Sequence, residues 1–215
     1  MSKPLSLYDV FPENNLLEIV DVGALPLDGT ETPYQGLLTS GRARLTAFEP
    51  DAAGLTKLGA ALGAPHRYLP YFIGDGAPAT FYETDYPMTG SLYPPNDAAL
   101  ALYPDVQRFM QRRAHHAVPT QRLDDIADIA RIDFLKMDVQ GGELSVLQGA
   151  QRLLTDTLVV QAEVEFVPLY QGQPLFTDVD GFLRAAGFQF HTFLGMALRF
   201  VGPLQMTHMQ QRGMN

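Results

Sequence analysis

Residues 134–150 read FLKMDVQGGELSVLQGA. An apolar run carries a lysine and an aspartate, stops at two glycines, and resumes with leucines at helical spacing. That pattern describes a buried strand, a tight turn and an amphipathic helix. In a strand, Ile132, Phe134, Lys136 and Asp138 share one face, so the two charges lie one pleat apart near the carboxyl end. Buried charges need partners. Two readings follow. Either the charge is held in a structural ion pair inside the sheet, or Asp138 borders a ligand while Lys136 keeps it ionised. Glu143 falls in the first turn of the helix, where the helix dipole favours a carboxylate.

The same strand–helix alternation extends in both directions. LLEIVDVGA (16–24), RLTAFEP (44–50) and RYLPYFIGDG (67–76) read as strands before it, and LVVQAEVEF (158–166) and FQFHTFL (188–194) as strands after it. Between them, a short helix follows Pro33, a helix capped by Asp51 runs to residue 62, and one helix spans 143–154. Thr177 and Asp180 have capping-box spacing, and Gly187 ends that helix. Residues 77–96 break the rhythm with aromatics and prolines, and 96–113 hold helical patches interrupted by Pro104. Residues 117–126 read as extended, then as a short turn. The alternation predicts an α/β fold, a mainly parallel sheet with helices on both faces.

In such sheets ligands sit outside the carboxyl ends of the strands, where the strand order reverses. The residues just after each strand are therefore the candidates: Asp21, Val22, Gly23 and Ala24; Glu49 and Pro50; Gly74 and Asp75. Asp138 and Val139 follow the fourth strand, and Glu163 and Glu165 the fifth. Nearly every strand ends in an acid. A carboxylate in Glu49's position commonly accepts the two hydroxyls of a ribose. A dinucleotide would want GxGxxG at the helix start to cradle its pyrophosphate. The loop here reads GALPLDG, and Asp28 and Glu31 would repel phosphates. A cationic, phosphate-free nucleoside fits better, and S-adenosylmethionine is one.

The bulk composition narrows the classes. Apolar residues make up 46% of the 215 and charged residues 18%, as in globular chains. A net charge of −9 argues against nucleic-acid binding, which needs clustered cations. The absence of cysteine removes disulfides, thiolate metal sites and a thiol nucleophile. The adjacent His115 and His116 would point to opposite faces of a strand, so no histidine-based metal site is expected. The first thirty residues lack the basic start and apolar core of a signal peptide, and no run has transmembrane length. The expected place is the cytoplasm, away from membranes.

The segment DFLKMDVQGGELSVLQGA resembles the hallmark of the FkbM family of S-adenosylmethionine-dependent methyltransferases, close to I-K-x-D-x-E-G-x-E-x-x-V-L-x-G-A. The resemblance extends through VDVGA (20–24), FEPD (48–51), the LDDI turn (123–126) and QAEVEF (161–166), in order. It implies a class I methyltransferase (Rossmann-like) fold over residues 16–194. Residues 1–15 then form a lead-in, 77–116 a lid-like insertion and 195–215 a tail. It also implies O-methylation of a hydroxyl, often on a sugar or natural product. The partner would be a small-molecule or glycan acceptor.

Two departures stand out. Gln140 replaces the usual Glu before the glycine. The final antiparallel strand is also not evident, although MALRFV could form a short one. Either the chain is truncated or a partner completes the edge, and an open edge invites a homo-oligomer. Asp138, Glu163 and Glu165 are the candidate bases, with Asp138 first and Lys136 in support. The competing functions are a nicotinamide-dependent enzyme, disfavoured by the missing GxGxxG, and a methyltransferase-like binding domain or fragment that has lost its chemistry.

Overall fold

The structure is a computed structural model describing residues 16–25, 31–199 and 201–202. The expected lead-in (1–15), Asp28 and most of the tail lie outside the described residues. The described residues divide into two units, each with its own core. The first runs to Ala77 and adds Pro119–Val139 and Ser145–Glu163; the second comprises Pro78–Val118, Gln140–Leu144 and the chain from Val164 onward.

The first unit is built on five parallel strands. In chain order they are β1 (Leu17–Val22), β2 (Ala43–Phe48), β3 (Arg67–Leu69), β8 (Phe134–Met137) and β9 (Val159–Ala162), arranged β3-β2-β1-β8-β9. A small separate parallel pair joins β4 (Phe72–Ile73) to β7 (Thr120–Gln121). The last four residues of β1 and of β2 are all buried, which explains their near-continuous apolar sequences. Ile19, Leu45 and Ala47 pack with Leu38 of α1 (Gln35–Thr39) and Leu58 of α2 (Ala52–Leu62). Each large aliphatic side chain buried there contributes about 1.5–3 kcal/mol. Asp51 caps α2 by accepting from Gly54 N at 2.6 Å, as its sequence predicts. The expected α/β fold with a parallel central sheet and flanking helices is present.

Three expected elements differ. The strand over 67–76 is cut, because Pro70 has no N–H to donate and cannot continue the ladder. Its second half joins β7 instead. The helix over 143–154 is two: α5 (Glu143–Gln148) and α6 (Gln151–Leu154). At the break, a Cβ on Gly149 would lie 2.0 Å from the Gly74 carbonyl oxygen, so the backbones meet there without room for a side chain. Asp124 then caps α6, accepting from the backbone N of Arg152 at 2.9 Å and of Leu153 at 3.0 Å. The fifth strand stops at Ala162, short of the predicted 166.

In the second unit, β5 (Ala79–Thr84) pairs antiparallel with β6 (Arg112–Val118). Between them lie two short helices, α3 (Asp97–Leu100) and α4 (Pro104–Gln107). The segment expected as a lid is thus a two-stranded ribbon with helical insertions. Its core gathers Leu100, Val106, Met110 and Tyr170. His115 and His116 do take separate neighbours: the first packs by Tyr82 with ring centroids 6.3 Å apart, the second meets Glu83 at 2.9 Å. Helix α7 (Phe176–Ala185) has its cap at Leu175, two residues before the predicted Thr177. Asp178, rather than Asp180, reaches back to the Leu175 N–H at 2.8 Å. Residues 188–194 form no strand. Among the described residues, no helix is long and apolar enough to cross a membrane.

Candidate functional site

The strand order reverses beside β1, with β2 and β3 on one side and β8 and β9 on the other. The carboxyl ends of β1 and β8 meet closely. Asp138 N donates to the Val22 carbonyl at 3.0 Å, while Gly23 N and Ala24 N both donate to the Phe48 carbonyl, at 3.0 and 3.1 Å. Gly23 has φ +79°, and a Cβ there would fall 1.9 Å from the Asp138 carbonyl oxygen and 3.4 Å from a Val139 methyl. Only glycine satisfies both the conformation and the space. The predicted Asp21–Ala24, Asp138 and Val139 are therefore brought together.

Asp21 and Lys136 are register partners on these adjacent strands. Lys136 Nζ lies 2.9 Å from Asp21 Oδ1, and the Tyr34 hydroxyl donates to the other oxygen, Oδ2. Asp21 is 2% exposed. Burial pushes its carboxyl above the ordinary value, and the neighbouring Lys136 ammonium is the main opposing influence. Burial, with the adjacent Asp21 carboxylate, also raises the Tyr34 phenol, so it stays protonated. The ion pair expected inside the sheet is present, with its carboxylate supplied by the neighbouring strand. A residue two positions on lies about 6.5 Å away, whereas a cross-strand partner lies about 4.8 Å away. The more deeply buried carboxylate also gains most from the cation. Tyr34 was missed; one tyrosine at the start of a short helix carries no periodic signal.

Glu49 follows β2 and is almost fully buried. Its backbone N donates to the Leu69 carbonyl at 3.2 Å, and its Oε1 accepts from Asp51 N at 2.8 Å. The half-buried Pro50 bridges the two acids. Burial raises the Glu49 carboxyl; the Asp51 N–H opposes that, while the charges of Asp51 and Asp21 add to it. A buried acid with one backbone donor and acidic neighbours is suited to a ligand that offers hydroxyl or cationic groups.

The remaining candidates scatter. Gly74 and Asp75 follow β4 and so do not end the third strand of the central sheet; Asp75 Oδ1 accepts from Ala77 N at 2.9 Å, closing its own turn. The place beside Glu49 belongs to Leu69, a substitution traceable to Pro70. Glu163 N donates to the Met137 carbonyl at 3.0 Å, which sets Glu163 beside the end of β8. Glu165 belongs to the second unit, where its carbonyl accepts from Phe176 N at 3.0 Å. With β9 ending at Ala162, neither glutamate lies within the strand.

Gln140 also lies in the second unit, with φ +55°, rare for a residue bearing a side chain. Its carbonyl accepts from Ser91 Oγ at 2.7 Å. The Tyr170 hydroxyl lies 3.0 Å from both the Gln140 side chain and the Thr89 carbonyl. One hydroxyl proton cannot serve two acceptors well. An amide resolves this by turning its NH₂ toward Tyr170, leaving the proton for Thr89. A carboxylate has no such option, so glutamine suits these surroundings.

Comparison with known proteins agrees with this arrangement. The family model described as "Methyltransferase FkbM domain" matches residues 21–190. A "2-O-methyltransferase NoeI" of Sinorhizobium fredii (strain NBRC 101917 / NGR234) is 42% identical over 60 residues, 26% of this chain and 25% of that protein. The match thus spans about a quarter of that relative's length. No solved structure gives a significant match.

Proposed function

Because the chain belongs to the FkbM methyltransferase family, we propose that it transfers a methyl group from S-adenosylmethionine to a hydroxyl of a sugar or natural-product-like small molecule. The observation that carries this reading is Glu49: an almost buried carboxylate at the exit of the strand beside β1, with its Oε1 on Asp51 N and its pKa raised by burial. The site fits a phosphate-free cation on its own chemistry. Beside the Asp21 carboxylate that Lys136 neutralises, Glu49 and Asp138 bring acidic charge to where strand order reverses, and the space beside Gly23 is filled by a carbonyl oxygen. Glu49 would take the ribose hydroxyls, and the Gly23–Ala24 backbone would line the nucleoside. When bound, the sulfonium supplies an electrophilic methyl group.

The chain's own contribution is alignment and proton removal. The acceptor oxygen must lie in line with the methyl carbon and sulfur. Asp138 would accept the proton of the acceptor hydroxyl, with Glu163 the second candidate. Lys136 is engaged by Asp21 and serves the site by holding that strand exit in place. The acceptor class draws support from the relative whose name specifies 2-O-methylation.

Calorimetry with S-adenosylhomocysteine and NAD, followed by methyl release over a panel of glycans and hydroxylated metabolites, tests this. Micromolar binding of the first, none of the second and turnover on a hydroxyl are expected. No heat with S-adenosylhomocysteine at millimolar concentration would overturn the cofactor assignment. Binding without turnover on any hydroxyl would leave a binding domain.

A further inference from the structure

Two features lack partners, among the described residues, of a kind that each could supply to the other. The first is the outer edge of β9. Val159 N and Glu163 N donate inward, to the carbonyls of Asp133 at 3.1 Å and Met137 at 3.0 Å. Strand alternation therefore turns the N–H and C=O of Val160 and Ala162 outward. The five-stranded sheet ends at β9, so no described strand receives them. Natural edges are usually protected by lysine, proline or a bulge. Here the edge reads LVVQA over 158–162, without a charge or proline, and Leu158 and Val159 are 59% and 52% exposed.

The second feature is the segment 194–199, LGMALR. It is held on both sides. Phe190 and Phe193 pack against Phe176 with ring centroids 6.1 and 5.5 Å apart, and Gly202 N donates to the Leu102 carbonyl at 2.8 Å. Between these anchors, Leu194, Met196 and Leu198 alternate with Gly195, Ala197 and Arg199, the period of a strand. Those three apolar side chains are 73%, 63% and 51% exposed. Among the described residues, no backbone–backbone hydrogen bond involves residues 189–199. The segment has the side-chain pattern of a strand and, among the described residues, no sheet.

We propose that the chain forms a homodimer by strand exchange, in which residues 194–199 of each copy pair with the outer edge of β9 of the other. One surface offers the unmatched backbone groups and apolar flank that the other needs, and both belong to the same sequence, so a second copy is the occupant with both halves. Main-chain pairing supplies the affinity, and the alternating Leu194, Met196 and Leu198 supply the register. The exchange is reciprocal, so assembly closes at two chains.

Sedimentation of the full chain at tens of micromolar tests this, together with cross-linking, for which the absence of native cysteine is convenient. The expected mass is twice that of one chain. The double variant Leu194→Lys, Met196→Glu, altered at exposed positions, should halve the mass and leave the circular dichroism unchanged. A size-tagged Val159→Cys chain mixed with an untagged Leu198→Cys chain should give a disulfide-linked species of mixed size. A wild-type monomer, or a double variant that remains dimeric, overturns the proposal. So does a chain carrying both cysteines that closes the link within itself, which would show the strand adding in cis.

Discussion

At the exit of β1, Asp21 is met by an ammonium and a phenol; at the exit of β2, Glu49 is met by one backbone N–H and two further acids. Burial raises both carboxyls, yet among the described residues only the first has a counter-ion. The contrast separates two uses of a strand-end acid. Asp21 ties strands together, and its charge is spent internally. Among the described residues Glu49 has no counter-ion at its strand exit, which the fold tolerates at some cost in stability.

Three variants would break or sharpen that contrast. Lys136→Met leaves Asp21 buried without its cation, and denaturant unfolding at pH 7 should show a loss of about 3–5 kcal/mol. The sign with pH is fixed. A carboxyl whose folded pKa is raised contributes stability below its unfolded value, and that contribution is lost as pH rises through the folded value. In the variant the folded value rises further, so its deficit relative to wild type should shrink on acidification toward pH 4. A deficit independent of pH would mean that the two groups do not interact.

Tyr34→Phe removes one donor and keeps the ring edge-on to Phe134, 6.2 Å between centroids. The expected loss is about 1.5–3 kcal/mol, the range for a hydrogen bond to a charged group. A change within experimental error would show that Lys136 alone satisfies Asp21. Glu49→Gln should have the smallest effect on folding: the amide oxygen can still accept from Asp51 N, and the buried charge is gone. Its melting temperature should stay level or rise, while S-adenosylhomocysteine affinity falls roughly tenfold or more. A strong loss of stability would make Glu49 structural and reverse the comparison.

The carboxyl-end acids were legible because strands ending at Asp21, Glu49 and Asp138 need only apolar runs and turn residues to be seen. Gly23 was legible as a turn, but the reason only glycine fits, a carbonyl from a strand far along the chain, was not. That Lys136 meets Asp21 was not legible for the same reason, since register between strands is a tertiary fact. Pro70 was visible, yet its effect on the third strand was underweighted, which misplaced Gly74 and Asp75. Asp124 was noted for its place in the LDDI turn, whereas its work is to cap α6. The strand expected over 188–194 shows the limit of periodicity: the pattern specifies a side-chain rhythm, and a ladder also requires a neighbouring edge.

The close meeting of Gly23 with the Asp138 carbonyl has a thermodynamic consequence. With Asp138 N on Val22 and both Gly23 N and Ala24 N on Phe48, three consecutive strand exits are stapled by main-chain bonds. Such a floor has little freedom left to surrender when a guest arrives, so association there is spared much of the ordering entropy that a loop-built cradle would lose. Hydrogen exchange at these amides should already be slow in the empty protein and change little on saturation.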